Sequence, residues 1–478
     1  MKNWRYWGVV VGILAIFLFL RLWAIRDGFF FFNDMGRDML VLQQWRDSGK
    51  PPLLGPQNSS LPFNQPGLYF YWLMPLFLLF SGSPFSSIFT LVLTMSAFFL
   101  AGAYLLRKKP EWPSVFLGFS WLVALHPTHI QQNRFVWNPS FVTPFFATAV
   151  IALVWLREKW TVRRVQLFAF CLAAAVSFSY SVAPAAVAVV LLILWWWRTE
   201  VKKIFFLGAS LAAWTLFFQI PTLVFELRYN FQLTKAVLNS PETTHEGLEW
   251  SVKLQQLLST STGLAGVGQT LLIGAFLSCV VLNLVWLKRS ASFSVREKAF
   301  FSFLPLFVTT LVLTLVAPVP LHAHYIFAIV TLAFLVVATL HKRLAIGFIV
   351  LASLAWLHPT VLQKHFIPAR RSFEVLMACM RQVCEAENEP LFVSVQSSYH
   401  PYHNGPEFRF ALGESGCKVK SIELEPQAAQ RMTVVEDGGL YEHGKTDFYE
   451  LALFGPSKVA ENYNCTDDLS VVILEKQR

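Results

Sequence analysis

Apolar runs of roughly 15–23 residues recur along the chain, each long enough to cross or nearly cross a bilayer. They lie near 7–25, 84–106, 113–127, 140–156, 165–181, 183–197, 204–222, 269–287, 299–317, 324–340 and 344–358, which predicts a polytopic α-helical membrane protein of about eleven transmembrane helices. Polar connectors separate the runs, and the basic ones take every second place. Lys2 and Arg5 come first, then Arg107, Lys108 and Lys109, then Arg157, Lys159, Arg163 and Arg164. Arg198, Lys202 and Lys203 follow, then Lys288, Arg289, Arg296 and Lys298, then His341, Lys342 and Arg343. This alternation puts all the basic clusters on one side, as in cytoplasmic loops. The N-terminus is therefore expected in the cytoplasm. The first run has no small-residue cleavage site before Arg26 and Asp27 and reads as a retained anchor.

One apolar run departs from the pattern. Residues 67–80 (GLYFYWLMPLFLLF) are few, rich in Tyr and Trp, and broken by Pro75, which suits the headgroup layer. Residues 26–83 then form one external loop of interfacial helices around a polar linker at 48–65. Loops of this length between spans usually carry function. The loop opens with four phenylalanines, Phe29 to Phe32, which end the first crossing. Asn33, Asp34, Met35, Gly36, Arg37 and Asp38 come next, setting two carboxylates and a guanidinium at the water boundary. In a helix begun at Asn33, Asp34, Arg37 and Asp38 share one face, and Phe32, Met35, Met39 and Leu42 another. That predicts an amphipathic helix on the membrane surface, apolar side down, its acids toward solvent or a cavity. Acids at the mouth of a membrane protein point to function; a solvated helix cap is the plain alternative. The other external connectors are residues 126–139 (HPTHIQQNRFVWNP), a turn near Tyr180, residues 225–269, and residues 317–325 (APVPLHAHY). The third of these holds Glu226, Arg228, Tyr229, Glu242, Glu246 and Glu249.

From about residue 366 the pattern becomes that of a soluble α/β fold. Residues 373–385 have helical spacing, while 391–395, 432–435, 449–453 and 470–475 read as short strands between turns. The chain thus divides into a transmembrane domain, 1–360, and a small extracytoplasmic α/β domain, 366–478, large enough for its own core. An odd number of crossings places this domain outside. Cys379, Cys384, Cys417 and Cys465 lie in it and allow three disulfide connectivities. Cys379 and Cys384, five apart on one helix, suit each other poorly, and the lack of a CxxC argues against redox catalysis.

Composition agrees with this division. Of 478 residues, 55% are hydrophobic and only 14% charged, with a mean hydropathy of +0.49; no soluble chain of this length is so apolar. A net charge of +10 would suit nucleic acid if it covered one surface. Instead, the chain up to residue 360 holds 27 basic and 12 acidic residues, and the remainder 12 and 17. The excess sits in short connectors, where it acts as a topology signal.

The order of motifs carries a resemblance. A span is followed by Asp34 with Arg37 three residues on, then a polar linker. After it come Gln65, Pro66, Gly67, Leu68, Tyr69, Phe70, Tyr71 and Trp72 on an interfacial helix, and then alternating spans. Weaker echoes are Arg134 with Asn138 and Pro139, residues 225–228 (FELR), and His324 with Tyr325. Over about three quarters of the chain this resembles the GT-C integral-membrane glycosyltransferases, in particular the protein O-mannosyltransferase and lipid A aminoarabinose transferase group. The resemblance implies inverting transfer of a sugar from a polyprenyl-phosphate carrier to a lipid, glycan or protein acceptor hydroxyl on the external face. It also implies a prokaryotic plasma membrane and no required cofactor, a divalent metal being left open. Asp34 matches the family's base, with Asp38 as the second acid. The leaving group is already a phosphate and needs cations more than a strong acid. Arg37 either orients Asp34 or meets the phosphate; Arg134, Arg228, His322 and His324 are external candidates to clamp it. Gln65, Tyr69, Tyr71 and Trp72 would form a platform for sugar or prenyl chain. One departure stands out: Asn64 and Gln65 replace an acid–Lys pair of the aminoarabinose transferases, so another cation must substitute or the donor differs.

Each residue also has a plain reading. Arg37 is an ordinary ion-pair partner for Asp34 or Asp38, Tyr69, Tyr71 and Trp72 form an aromatic belt, and Glu226 and Arg228 cap a span. His126 and His129 are interfacial caps, and His322 with His324 lacks a third metal ligand. The competing function is a transporter or lipid flippase. Such proteins show inverted repeats and acids at mid-membrane depth, whereas here the polar residues gather on one face.

Overall fold

A computed structural model of the chain describes residues 3–57, 64–239, 250–289, 292–317, 321–369, 371–387, 389–398, 405–438 and 448–477. Glu242, Glu246 and Glu249 lie outside these. Among the described residues six helices are long and apolar enough to cross a membrane: Trp4–Leu22, Phe85–Leu106, Asn138–Glu158, Val201–Arg228, Gly266–Lys288 and Val295–Val316. A seventh span results if Lys342–Trp356 and Pro359–His365, bent by 64°, are one. The chain is a multi-pass membrane protein. Trp112–Leu125, Val162–Phe178, Ala183–Trp196 and Phe327–Thr339 fill the remaining expected positions with 13 to 17 residues each. At 1.5 Å per residue such helices rise only about 20–26 Å. By length alone the count of full crossings is therefore six or seven. Residues 68–79, expected at the interface, form the 12-residue helix Leu68–Leu79.

The chain divides into two compact units, Met1–Trp23 with Pro52–Pro75 and Ser87–Phe366, and Ala24–Pro51 with Leu76–Ser86 and Ile367–Arg478. In the first unit the short helix Phe327–Thr339 is buried on nearly every side, as a helix apolar all round must be. It packs on Trp112–Leu125, Val142–Glu158 and Val295–Val316. Val201–Arg228 and Gly266–Lys288 instead leave most of their apolar surface exposed, which suits helices facing lipid. The polar linker holds an antiparallel pair, β1 (Leu54–Gln57) and β2 (Asn64–Pro66).

The second unit is built on a sheet of β3 (Leu391–Ser397), β4 (Arg431–Asp437), β5 (Ser457–Thr466) and β6 (Leu469–Lys476), in the order β3-β4-β6-β5. β3 and β4 are parallel and the other pairings antiparallel. Phe392, Met432, Val434, Leu451, Phe454, Val472 and Leu474 form one core cluster. Two expectations change here. Residues 449–453 are not a strand but the helix Tyr449–Phe454, which buries Leu451 and Phe454 three apart. Strand β5 was hidden by its polar, largely exposed sequence, which suits an edge. Cys379 pairs with Cys465 and Cys384 with Cys417.

The phenylalanines after the first crossing belong to this second unit and not to the crossing. Phe29 and Phe31 are fully buried against Phe373, and Phe30 and Phe32 stack on each other, the period of an extended segment. Phe30 bridges to Ser372, and the Phe373 N–H donates to the Phe29 carbonyl. The helix Asp34–Ser48 packs on Pro406–Glu414. Its apolar residues Met35, Met39 and Leu42 are thus buried within the unit, where a surface helix would have laid them on lipid. Gly36 makes this close approach possible, since a Cβ there would fall 2.3 Å from the Glu407 backbone nitrogen. Gly36→Ala is expected to cost about 1–3 kcal/mol by overpacking and to lower Tm. Gly12→Ala, with nothing within 4 Å and inside the first helix, should not lower Tm in the same melting experiment, since Ala is the better helix former.

Candidate active site

The entry to the Asp34–Ser48 helix is held by buried charge. Asn33, the residue before this helix, has φ +31° and ψ −97°. Its N–H donates to Glu407 Oε2 at 3.2 Å. Glu407 is fully buried and pairs with Arg371 at 3.3 Å, and Arg371 also reaches Asp437 Oδ2 at 3.1 Å. One turn on, Arg37 joins the two acids predicted to share its face. Its Nη1 donates to Asp34 Oδ1 at 2.7 Å, while Nε and Nη2 donate to Asp38 Oδ1 at 3.0 and 2.8 Å. The Asp34 and Arg37 side chains are each 34% exposed and Asp38 is 0% exposed. Asp34 is therefore reachable from solvent, whereas Asp38 serves as the buried anchor of the guanidinium.

In the first unit the cations converge after the Trp112–Leu125 helix. Pro127, lacking an N–H, ends that helix and opens Pro127–Arg134. Arg21, near the end of the first helix, has no exposed surface. Its Nε donates to Asn133 Oδ1 at 3.0 Å, Nη1 to the Ala124 carbonyl at 2.6 Å and Nη2 to the Val123 carbonyl at 3.1 Å. Arg134 is buried as well, with Nη1 donating to the Trp23 carbonyl at 2.8 Å, and burial lowers its pKa. The turn Gln363–His365 packs on the same helix, bringing His365 into the field of Arg134 and Arg21. His365 Nε2 is buried with no hydrogen-bond partner among the described residues. Beside them His126 and His129 are buried, their Nδ1 atoms 3.0 Å apart.

The remaining candidates are more scattered. His322 and His324 stack with centroids 5.5 Å apart, and His324 lies 4.2 Å from the Trp137 ring, joining two of the external connectors. Among the described residues no cluster of three or more His, Cys, Asp or Glu is placed to hold a metal. Arg228 is exposed, with its guanidinium over the Tyr229 ring at 5.6 Å. Glu226 accepts from the Leu233 and Thr234 N–H groups, capping the next helix rather than its own. Gln65 is buried and its Oε1 accepts from the Tyr180 N–H at 3.3 Å. Tyr69 is fully buried, and the Tyr71 hydroxyl donates to the Pro52 carbonyl at 2.8 Å. Trp72 donates to Thr94 Oγ1 at 3.0 Å and stands at an apolar groove of about 340 Å³, whose walls include Phe98, Phe116, Phe145 and Trp155.

No family model matches the sequence, and no curated protein matches it. Solved structures do. ArnT from Cupriavidus metallidurans bound to undecaprenyl phosphate superposes with a TM-score of 0.65 at 13% identity, over 98% of this chain and 98% of that one. The apo state of the same protein gives 0.50 at 12% identity, again over 98% of both chains. The fold is GT-C-like.

Within this GT-C-like fold, sequence reasoning overlooked Arg21, His365, Glu407 and Arg371. Arg21 had a signal, as the one charge in the run at 7–25; a lone arginine in an apolar run needs internal partners. The others had none, since their roles arise from contacts across long stretches of chain. His324 gives a test of the connector packing. Burial and the adjacent His322 push it down to about 3, while the unfolded ring titrates near 6.5. The neutral form is the one the fold accommodates, so stability is complete above about pH 6.5 and is lost as pH falls toward 3. His324→Phe is expected to show a smaller fall in Tm across that window than the wild type, measured side by side.

Proposed function

We propose that the chain is an inverting glycosyltransferase, moving a sugar from a polyprenyl-phosphate carrier to an acceptor hydroxyl at the extracytoplasmic face of the plasma membrane. The fold shared over 98% of its length with a transferase solved with undecaprenyl phosphate carries this reading. The full set of about eleven spans, with the N-terminus cytoplasmic and residues 366–478 outside, belongs to the same proposal. Asp34, partly exposed and held by Arg37, takes the proton of the acceptor hydroxyl. The freed oxygen attacks the anomeric carbon opposite the phosphate. The carbon–oxygen bond to the carrier breaks, its electron pair leaves with the phosphate, and the anomeric configuration inverts. Arg37 orients Asp34, and Asp38 anchors Arg37. Arg134, Arg228, His322 and His324 are the proposed contacts of the leaving phosphate. Of these, Arg134 has the strongest support, because it is buried beside a second arginine, Arg21, with its Nη1 3.4 Å from the Arg21 carbonyl. Trp72 and its apolar groove suit a prenyl chain, with Gln65, Tyr69 and Tyr71 shaping that end. No cofactor enters these steps.

Purified protein and a panel of polyprenyl-phosphate sugars provide the test. Asp34→Asn should reduce transfer by about 10²–10⁴-fold, the range for loss of a general base, with Tm near that of wild type. Transfer persisting in a folded Asp34→Asn protein would remove the proposed base, and a change in substrate uptake instead would favour transport.

A further inference from the structure

The Trp112–Leu125 helix has the buried cations Arg21 and Arg134 near its C-terminal end. At its other end, about 20 Å away along 14 residues, lies a cavity of about 800 Å³. Arg107, Lys108, Arg296 and Lys342 bring four positive charges to it, and Glu111 and Glu297 two negative ones. Both acids are engaged in starting the Val295–Val316 helix. Glu111 Oε2 accepts from the Arg296 N–H at 2.8 Å and Glu297 Oε2 from the Ser294 N–H at 2.7 Å. Arg296 is 8% exposed, and its guanidinium is held by uncharged groups, the Leu340 carbonyl at 3.1 Å and Ser114 Oγ at 2.6 Å. Among the described residues no carboxylate comes within ion-pair distance of Lys108, Lys342 or the Arg296 guanidinium. Cations so placed favour an anion.

The surroundings indicate which anion. Tyr6, Pro113 and Trp286 give the cavity an apolar wall, and the Arg107 guanidinium lies over the exposed Tyr104 ring at 3.5 Å. Trp286, half exposed, packs on His341 with centroids 4.5 Å apart. Aromatic and basic side chains mixed at helix ends mark the depth of lipid headgroups. A free phosphate would use the cations alone, whereas a lipid would also use the exposed apolar wall. We infer that this cavity binds the phosphate headgroup of an anionic phospholipid in the leaflet on the basic-connector side, with Lys108, Lys342 and Arg296 around its oxygens. The inference does not depend on the proposed transfer reaction.

The test uses full-length protein in non-ionic detergent with equimolar dioleoyl-phosphatidylglycerol and dioleoyl-phosphatidylcholine, read by native mass spectrometry. The wild type should retain phosphatidylglycerol preferentially. Lys342→Gln should reduce the preference about fivefold, and Lys108→Gln with Lys342→Gln about 25-fold, at the usual contribution of each basic side chain. Inorganic phosphate at about 10 mM, a moderate concentration for a weak soluble anion, should leave lipid retention unchanged. Equal retention of both lipids by the wild type, or an undiminished preference in the single variant, overturns the inference. Displacement of the lipid by phosphate overturns the lipid assignment in favour of a soluble anion.

Discussion

A full charge at the end of a membrane-spanning helix must carry its solvent with it, and Arg21 does so with protein. Two carbonyls at the end of the Trp112–Leu125 helix and the Asn133 amide oxygen take the place of water, and the Phe17 ring lies under the guanidinium at 4.1 Å. The Val123 carbonyl is spare because Pro127 has no N–H to offer it, and the Ala124 carbonyl because the chain turns extended at His126. One arginine thereby satisfies a helix end and ties the first helix to the connector bearing Arg134. Burial in protein withdraws water from these groups, so the geometry of this end of the unit follows from it.

The same constraint governs where chemistry can sit. Helices that face lipid carry apolar side chains almost throughout, and the ionisable groups collect at helix ends and connectors. The acid pair of the second unit uses a different device. Arg37 spans Asp34 and Asp38, one reachable and one buried. The buried acid holds the guanidinium still, and the guanidinium fixes the exposed acid.

Several features were legible because they depend on local pattern. Each expected apolar run has a helix, since a long apolar run in lipid can pair its backbone only with itself. The helical face shared by Asp34, Arg37 and Asp38 follows from a period of 3.6, and β3, β4 and β6 lie where apolar residues cluster. Residues 449–453 were ambiguous because a short apolar run fits strand or helix equally. Strand β5 is held by its pairing with β6 and not by its own polar residues. Met35, Met39 and Leu42 were correctly grouped as an apolar face, but the face is covered by protein, and a periodic pattern does not say what covers it.

What the sequence by itself determined is the membrane character, the helical runs, and the grouping of two acids around one arginine. These rest on hydrophobicity and on separations of four residues or fewer. Only the tertiary structure decided which acid is exposed, that Arg21 is buried, which cysteines pair, and that the phenylalanines after the first crossing pack on Phe373. Each of those depends on which surfaces meet across a hundred or more residues, or across a disulfide loop, and no local periodicity encodes such a meeting.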